Sequence, residues 1–247
     1  MRSLPLIAGL SALWLAAPLA AEPFTPEQRD ALKAEIRSYL LENPEILNEM
    51  VALLEEQRMA ETAETDRALV TAHEGALFED GFSFVGGNPE GSVTIVEFLD
   101  YQCGYCRRAH PDLMRLLDDD GDIRWIVKEI PILGPASEQA ARATVATLIL
   151  DGDEAYEALN DRLMRHDGGI DEAVLAAALE GLVADPAAVL EEMNSPEVTR
   201  RLQETQQLAQ ALEVSGTPTF VIGDRMVRGY VPLERMREIV DAERADG

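Results

Sequence analysis

Two short apolar runs with an amphipathic segment between them most constrain how this chain can fold. The first run, Val93–Leu99, is interrupted only by Thr94 and Glu97, and the second covers residues 123–130. Runs of this length that are rich in β-branched residues favour buried strands. Residues 103–117 have helical spacing. The sequence therefore predicts a β-α-β unit with two parallel strands.

Further segments along the chain predict the rest of a sheet. The acidic run 118–120, followed by Gly121, is expected to end the helix before the second strand. Gly223-Asp224 is a typical two-residue hairpin turn. The other predicted elements are a short strand at 82–85 with a turn at 86–89, strands at 217–222 and 225–228, and a closing helix over 232–240.

A long helical region separates the two parts of the sheet. Five segments with helical spacing and Asp, Ser or Pro at their starts are predicted at 137–150, 153–165, 171–182, 185–193 and 195–212. A simple crossover needs only one helix. The sequence therefore predicts an α/β fold with a helical subdomain inserted at about 135–213.

The first residues have the pattern of a secretory signal. Met1-Arg2-Ser3 is followed by Leu4–Leu19, which carries no charge, and then by Ala20-Ala21. A membrane anchor is the alternative, but the run is shorter than the roughly 20 apolar residues that span a bilayer. We expect residues 1–21 to be a signal peptide cleaved near Ala20 or Ala21, and the mature protein to reside in the periplasm.

Residues 22–78 predict a helical arm and linker ahead of the sheet domain. Thr25-Pro26 with Gln28 is the pattern that begins a helix, and Asn43-Pro44 ends it and begins the next. The second helix has a wide apolar stripe: Ile46, Leu47, Met50, Val51, Leu53 and Leu54. We expect this stripe to join copies of the chain into a homo-oligomer; packing on its own domain and docking of a specific partner are the alternatives.

The charge of the chain excludes some partners. Its formal net charge is −25, and removal of residues 1–21 takes away Arg2 and no acid, which makes it −26. Such a surface repels phosphate backbones and anionic lipid. No later stretch is apolar enough to span a membrane. We therefore expect neither nucleic-acid binding nor membrane insertion.

The chain has two cysteines, and their position indicates chemistry. Cys103 and Cys106 follow a predicted strand and open a predicted helix, where free backbone N–H groups and the helix dipole favour a thiolate. We expect Cys103 to be the exposed nucleophile and Cys106 to resolve the mixed disulfide. A zinc half-site, buried structural thiols and a static disulfide are the alternatives, but there is no second cysteine pair. No cofactor is expected.

Two ionisable residues near the cysteines are candidates for supporting roles. Glu97 lies in an otherwise apolar strand, so burial should raise its pKa and let it exchange a proton with Cys106; an ion pair with Lys128 is the alternative. His110 shares the helix face of the cysteines. It would tune the thiols or help them hold a soft metal ion, and plain helix packing is the alternative.

Thr217-Pro218 precedes a predicted strand, in which a proline removes a ladder hydrogen bond. A cis bond here would bring a free backbone edge against the dithiol, ready to pair with an extended substrate chain. An ordinary trans proline at a strand start is the alternative. The sequence by itself does not separate the two.

Two stretches make the chain resemble the DsbA-like branch of the thioredoxin superfamily. They are the segment from Val96 to Cys106, Val-Glu-Phe-Leu-Asp-Tyr-Gln-Cys-Gly-Tyr-Cys, and residues 215–223, Ser-Gly-Thr-Pro-Thr-Phe-Val-Ile-Gly. The resemblance implies a thioredoxin-like fold over residues 79–247. It also implies Cys103 as nucleophile, Cys106 as resolving thiol, Glu97 as buried acid and Pro218 as a cis-proline. An N-terminal helical arm is similar to that of ScsC-like oligomeric members.

Within the resemblance, two departures from the DsbA oxidase favour an isomerase or reductase. The dipeptide between the cysteines is Gly104-Tyr105, and Thr217 precedes the proline, both as in DsbC-type isomerases. We expect Gly104, Tyr105 and Thr217 to contact substrate. The implied partners are unfolded or misoxidised exported proteins and a membrane thiol–disulfide electron-transfer protein. A DsbA-type oxidase and a copper- or zinc-binding protein are the alternatives.

Overall fold

The computed structural model describes residues 24–246. The predicted signal segment, residues 1–21, lies outside the described residues. The described chain divides into two compact units, with the boundary between Gln57 and Arg58. Within residues 24–246, no helix combines the length and the apolar character needed to cross a bilayer.

The first unit contains the predicted helical arm. Helix α1 (Pro26–Glu42) begins with the predicted capping box, in which the Gln28 amide donates to Thr25 Oγ1 at 3.2 Å and the Thr25 amide donates to Gln28 Oε1 at 2.8 Å. Helix α2 (Glu45–Ala72) starts here and continues into the second unit. The large apolar side chains of the arm are exposed: Leu32, Ile36, Tyr39, Leu41, Leu47, Met50, Val51, Leu53 and Leu54.

The second unit is built on a five-stranded sheet. Its strands are β1 (Val85–Gly87), β2 (Val93–Leu99), β3 (Ile123–Glu129), β4 (Thr219–Ile222) and β5 (Arg225–Arg228), in the order β1-β3-β2-β4-β5. Strands β2 and β3 are parallel, and the other three pairings are antiparallel. The predicted β-α-β unit and the predicted β4–β5 hairpin are therefore confirmed.

Nine helices or helix segments surround this sheet, counted within the second unit as the structure describes it. The end of α2 is followed by α3 (Glu74–Phe78), α4 (Gly104–Asp120), α5 (Pro135–Asp151), α6 (Asp153–Met164), α7 (Glu172–Leu179), α8 (Pro186–Glu192), α9 (Pro196–Ala211) and α10 (Leu233–Asp246). Helices α5 to α9 form the predicted insertion. Asp171, Asp185 and Ser195 cap α7, α8 and α9 with their side chains, as Asp and Ser do at helix starts.

The prediction of a first strand at residues 82–85 with a turn at 86–89 was wrong. Strand β1 starts at Val85 and includes both glycines, because Gly86 pairs with Trp125 of β3. A side chain at Gly86 would place its Cβ only 2.7 Å from the Phe84 ring. The glycine is therefore needed where the strand passes between two large rings, and it marks close packing instead of a turn.

The predicted end of the dithiol helix, at Leu117 ahead of the acidic run, is too early, although Gly121 of the predicted breaker does end the helix. Helix α4 continues through all three acids and ends at Gly121, which has a φ of 70°. This left-handed conformation suits glycine at a helix C-terminus. Two of the acids are paired with arginines of α10: Asp119 with Arg237, and Asp120 with Arg244 at 2.8 Å.

Alternating side chains of the central strands enter separate cores on the two faces of the sheet. Ile95 and Trp125 belong to the larger core, under the inserted helices, and Val96 and Ile126 to the smaller one. Val70 and Leu77 also belong to the smaller core. Residues 58–78, which the sequence analysis placed in the arm and linker, therefore lie in the second unit.

We predict that Leu77→Ala destabilises the protein strongly although it lies outside the predicted sheet domain. Leu77 is fully buried, so its truncation should lower the free energy of unfolding by about 2–5 kcal/mol. Leu150→Ala is the matched control, because Leu150 is 47% exposed and should change the value by about 0.5 kcal/mol or less. Urea unfolding of both variants measures this; equal small effects would contradict the assignment of Leu77 to the core.

Candidate active site

The turn after β2 carries the dithiol into the start of α4. The Cys103 amide donates to the Asp100 carbonyl at 3.0 Å, and Cys103 is the N-cap residue of the helix. Both cysteines are free thiols. Cys106 is fully buried, and Cys103 is only 8% exposed. Cys103 is therefore less exposed than the sequence analysis expected, because the Thr217 carbonyl oxygen lies 3.2 Å from its Sγ.

The surroundings of Cys103 stabilise its thiolate. The hydrogen bond from the Cys106 thiol, the Thr217 side chain and the nearby backbone N–H groups of Cys106 and Tyr105 together lower the pKa of Cys103 to about 5, although burial opposes them. The N–H groups are those that the first turn of a helix leaves free. The predicted helix effect is therefore present, but the neighbouring thiol is the largest contribution.

The pKa of Cys106 is shifted in the opposite direction. Burial, its hydrogen bond to Cys103 and the charge of Glu97 all raise the pKa of Cys106, and only the backbone of Asp100 opposes this. Near neutral pH the pair therefore has one ionised sulfur and one protonated sulfur. This is the division of roles that thiol–disulfide exchange requires.

Glu97 lies in the interior, close enough to Cys106 for its charge to act on that thiol. The indole N–H of Trp125 donates to Glu97 Oε2 at 3.2 Å, while Oε1 has no hydrogen-bond partner among the described residues. Burial raises the pKa of Glu97 to about 8, the Trp125 hydrogen bond lowers it, and the charge of Glu129 raises it further. A carboxyl group of this kind can hold or accept a proton near neutral pH.

The alternative for Glu97, an ion pair with Lys128, was wrong. Glu97 is in register with Val127, and successive side chains of a strand point to opposite faces. Lys128 therefore lies on the other face, where its Nζ is 2.5 Å from Asp80 Oδ2 and 2.8 Å from the Ala76 carbonyl oxygen.

His110 lies in the contact between α4 and α6. It is buried in α4, and its Nε2 lies 2.9 Å from Asp161 Oδ1 of α6. Burial lowers the pKa of His110, although Asp161 opposes this. This position agrees with the alternative expectation for His110, plain helix packing. Within residues 24–246, no group of three or more His, Cys, Asp or Glu side chains is arranged to hold a metal ion.

The Thr217-Pro218 segment lies against the dithiol. Its peptide bond is cis, as the resemblance implies, and the Thr217 carbonyl oxygen is within 3.2 Å of Cys103 Sγ. Strand β4 begins directly after it, at Thr219. Between the cysteines, Tyr105 is 64% exposed. Substrate contact by Gly104, Tyr105 and Thr217 stays a prediction.

Asp100 belongs to the site as well, although the sequence pattern assigns it no role. Its carboxylate accepts four hydrogen bonds: from the amides of Gln102, Ile132 and Leu133 at 2.7, 2.9 and 3.1 Å, and from the Ser137 hydroxyl at 2.7 Å. It therefore ties the dithiol turn to the β3–α5 loop. The sequence feature that could have identified Asp100 is an acidic residue directly after a buried strand.

A helix that begins at a dithiol and a cis-proline before a central strand define a thioredoxin-like fold, and the comparisons agree. The profile of the DSBA-like thioredoxin domain matches residues 94–241. The chain belongs to this family. A second profile, the copper resistance protein ScsC N-terminal domain, matches residues 28–61.

Two solved structures and one curated relative show how far the likeness extends. A thioredoxin-like oxidoreductase from Silicibacter pomeroyi is 38% identical, with a TM-score of 0.65, over 69% of this chain and 97% of that one. Proteus mirabilis ScsC in a transitional conformation is 26% identical, with a TM-score of 0.67, over 91% of this chain and 99% of that one.

The curated relative is Na(+)/H(+) antiporter NhaA 1 of Salinispora arenicola, which is 31% identical over 182 residues, or 70% of this chain. The match covers only 27% of the antiporter's length. The likeness therefore concerns one part of that protein.

We predict that the Cys106 thiol is needed for the low pKa of Cys103. In Cys106→Ser a hydroxyl still donates to the Cys103 sulfur, whereas in Cys106→Ala the largest lowering contribution is lost. The pKa of Cys103 should therefore be higher in the alanine variant. The rate of iodoacetamide alkylation against pH measures it in each variant. Superimposable curves for alanine and serine would contradict this arrangement.

Proposed function

We propose that this protein is an exported thiol–disulfide oxidoreductase that acts on the disulfides of other proteins. The observation that carries the proposal is the contrast between the two sulfurs: Cys103 has a pKa of about 5, and the pKa of Cys106 is raised. Cysteines that bound zinc or formed a static structural disulfide would not need one sulfur of low pKa beside one of raised pKa. Membership of the DSBA-like family supports the same activity.

The mechanism follows from that contrast. The Cys103 thiolate attacks a substrate disulfide, forms a mixed disulfide and releases one substrate thiolate. Cys106 then loses its proton to the Glu97 carboxylate and attacks Cys103 Sγ, and the second substrate thiolate leaves. The substrate is reduced by two electrons and the dithiol is oxidised. In isomerisation, a substrate thiol attacks the mixed disulfide instead, and the dithiol is not consumed.

The dipeptide inside the motif favours reduction or isomerisation over oxidation. A histidine there would add a positive charge near the thiolate and make the reduced form still more stable, and Tyr105 carries no such charge. An isomerase has to be kept reduced. We therefore propose that its substrates are misoxidised exported proteins and that a membrane thiol–disulfide protein returns its electrons.

The helical arm supports an oligomer with several active sites. Its apolar side chains are exposed in the single chain, and exposed apolar faces of this extent are typical of interfaces. The match of residues 28–61 to the ScsC N-terminal domain supports the same role. We propose that residues 24–57 join copies of this chain, and that the catalytic domain is the unit from Arg58 onward.

The periplasm is the proposed location. The signal-like pattern of residues 1–21 supports it, and a related structure is described as a periplasmic thioredoxin-like protein from Salmonella enterica, 28% identical over 70% of this chain. A thiol of low pKa can cycle through disulfides in such an oxidising compartment.

Copper handling is the second candidate, since the arm matches a domain named for copper resistance. In that case Cys103 and Cys106 would bind a soft cation. Titration of the reduced protein with Cu(I) distinguishes copper handling from the oxidoreductase function. Tight stoichiometric binding without disulfide-exchange activity would favour this candidate over the oxidoreductase.

We predict that Cys103→Ser abolishes activity in both the refolding of scrambled ribonuclease and the oxidation of reduced ribonuclease. Cys106→Ser should keep part of the refolding activity, because a substrate thiol can resolve the mixed disulfide in place of Cys106. Turnover retained by Cys103→Ser would disprove the nucleophile. If the unaltered protein were active only in the oxidation assay, the isomerase proposal would be wrong.

We predict that deletion of residues 22–57 converts the oligomer to a monomer. The deletion should leave reduction of a small disulfide unchanged and lower the refolding of scrambled ribonuclease, since one site replaces several. Leu54→Gln should weaken the oligomer, and Glu55→Gln on the same exposed helix is its matched control. Sedimentation equilibrium measures the mass; a monomeric unaltered protein would contradict the role of the arm.

A further inference from the structure

A second buried carboxyl group lies beside Glu97, and the exchange mechanism described above does not use it. Glu129, the last residue of β3, is only 6% exposed. It is in register with Leu99 of β2, and Glu97 lies two positions earlier on that strand. Because side chains two apart point to the same face, Glu97 and Glu129 share the face that packs under the inserted helices.

The spacing brings the two carboxyl groups within reach of each other. Neighbouring strands lie about 4.8 Å apart and two residues of a strand span about 6.6 Å, so the two Cα atoms are about 8 Å apart. The two carboxyl groups share no direct hydrogen bond, and one water between them would connect them across this distance. Glu97 Oε2 is bound by Trp125, and the other oxygen, Oε1, has no partner among the described residues. The charge of Glu129 acts on Glu97.

On its other side, Glu129 is connected to helix α6 and to a surface cleft. The Tyr156 hydroxyl donates to Glu129 Oε1. Glu129 also lines a small cleft together with Phe82, Ser83, Arg201 and Thr205. Phe82 and Arg201 of this cleft are partly exposed, and Glu129 itself keeps a small exposed fraction, so the path from Glu129 to solvent is short.

The cleft is separate from the dithiol surface. Neither cysteine, nor Tyr105, nor the Thr217-Pro218 segment is among its lining residues. A substrate held on Cys103 as a mixed disulfide covers the dithiol surface, and the buried Cys106 has to lose its proton at that moment. A path to solvent on another side of the domain lets the proton of Cys106 leave while the substrate covers the dithiol surface.

We propose that Glu129 exchanges the proton of Glu97 with solvent through the cleft lined by Phe82 and Arg201. This inference rests on the proposed oxidoreductase function and adds a proton path to it. Glu129 acts through Glu97 and does not touch the reacting sulfurs.

Each step of the path balances. The Cys106 thiol gives its proton to Glu97, and the resulting thiolate forms the Cys103–Cys106 bond while the substrate thiolate leaves. Glu97 then passes the proton to the Glu129 carboxylate, which releases it to water in the cleft. Tyr156 keeps its own proton and donates a hydrogen bond throughout. In the opposite direction of exchange, the same steps return a proton to Cys106.

The groups that face Glu129 give it a suitable proton affinity. Burial raises the pKa of Glu129 to about 7; the hydrogen bond from Tyr156 and the charge of Lys128 lower it, and the charge of Asp80 raises it. Arg201, across the cleft, is paired with Glu197 at 2.8 Å. Since the pKa of Glu97 is about 8, a proton moves between the two carboxyl groups with little change in free energy.

The test is stopped-flow reaction of the full-length reduced protein with the disulfide reagent DTNB, across pH. Attack by Cys103 releases one coloured thiolate in a first phase, and attack by Cys106 releases the other in a second phase. In Glu129→Gln the first phase should keep its rate and pH dependence. Near pH 7 Glu97 holds a proton and has to pass it to Glu129 before it can take the proton of Cys106. The rate of the second phase at that pH should therefore fall about ten-fold or more, the size expected for a lost proton-transfer group.

Two further variants separate proton passage from damage to the fold. Glu129→Asp keeps a carboxyl group and should recover most of the second-phase rate, whereas a structural defect would affect both substitutions alike. Glu90→Gln, at an exposed site, is the matched control and should change neither phase.

The outcomes can be told apart. An unchanged or faster second phase near pH 7 in Glu129→Gln would overturn the path. A faster phase is the purely electrostatic result, because loss of the Glu129 charge lowers the pKa of Glu97. Equal losses of the second-phase rate in Glu129→Asp and Glu129→Gln would overturn the proton path as well. If the unaltered protein showed no rapid first phase, the oxidoreductase function itself would fail.

Discussion

The rest of the site depends on the hydrogen bond between the two cysteine side chains. By donating to Cys103, the Cys106 thiol lowers one pKa and raises its own. The helix start adds backbone N–H groups on the side of Cys103, and burial beside Glu97 acts on Cys106. Two chemically identical residues three positions apart thereby acquire pKa values shifted in opposite directions.

The sheet register organises the groups that support this pair. Parallel pairing of β2 and β3 places Glu97, Trp125 and Glu129 on one face, and Lys128 on the other with Asp80. A shift of β3 by one residue against β2 would turn each β3 side chain to the opposite face of the sheet. Lys128 would then lie on the face of Glu97, and Glu129 would leave it. The proton chemistry proposed for Cys106 therefore depends on backbone pairing as much as on the acids themselves.

Local patterns were sufficient for much of the fold. The capping box at Thr25, the strand Val93–Leu99 and the hairpin at Gly223-Asp224 were predicted correctly, because each depends on neighbours in the chain. The strand at Phe82 and the helix end at Asp118 were not. Distant partners meet the chain at both places: the Phe84 and Trp125 rings lie around Gly86, and arginines of α10 pair with two of the acids.

The sequence by itself determined the positions of the dithiol, of its helix and of an acid in the preceding strand, since spacing and residue type along the chain are enough for these. Only the tertiary structure decided that Cys103 is nearly covered by Thr217, that Lys128 faces away from Glu97 and that Glu129 joins the buried acids. These features depend on segments far apart in the chain that meet across the sheet. Their distances and burial set the pKa values, and no local pattern contains them.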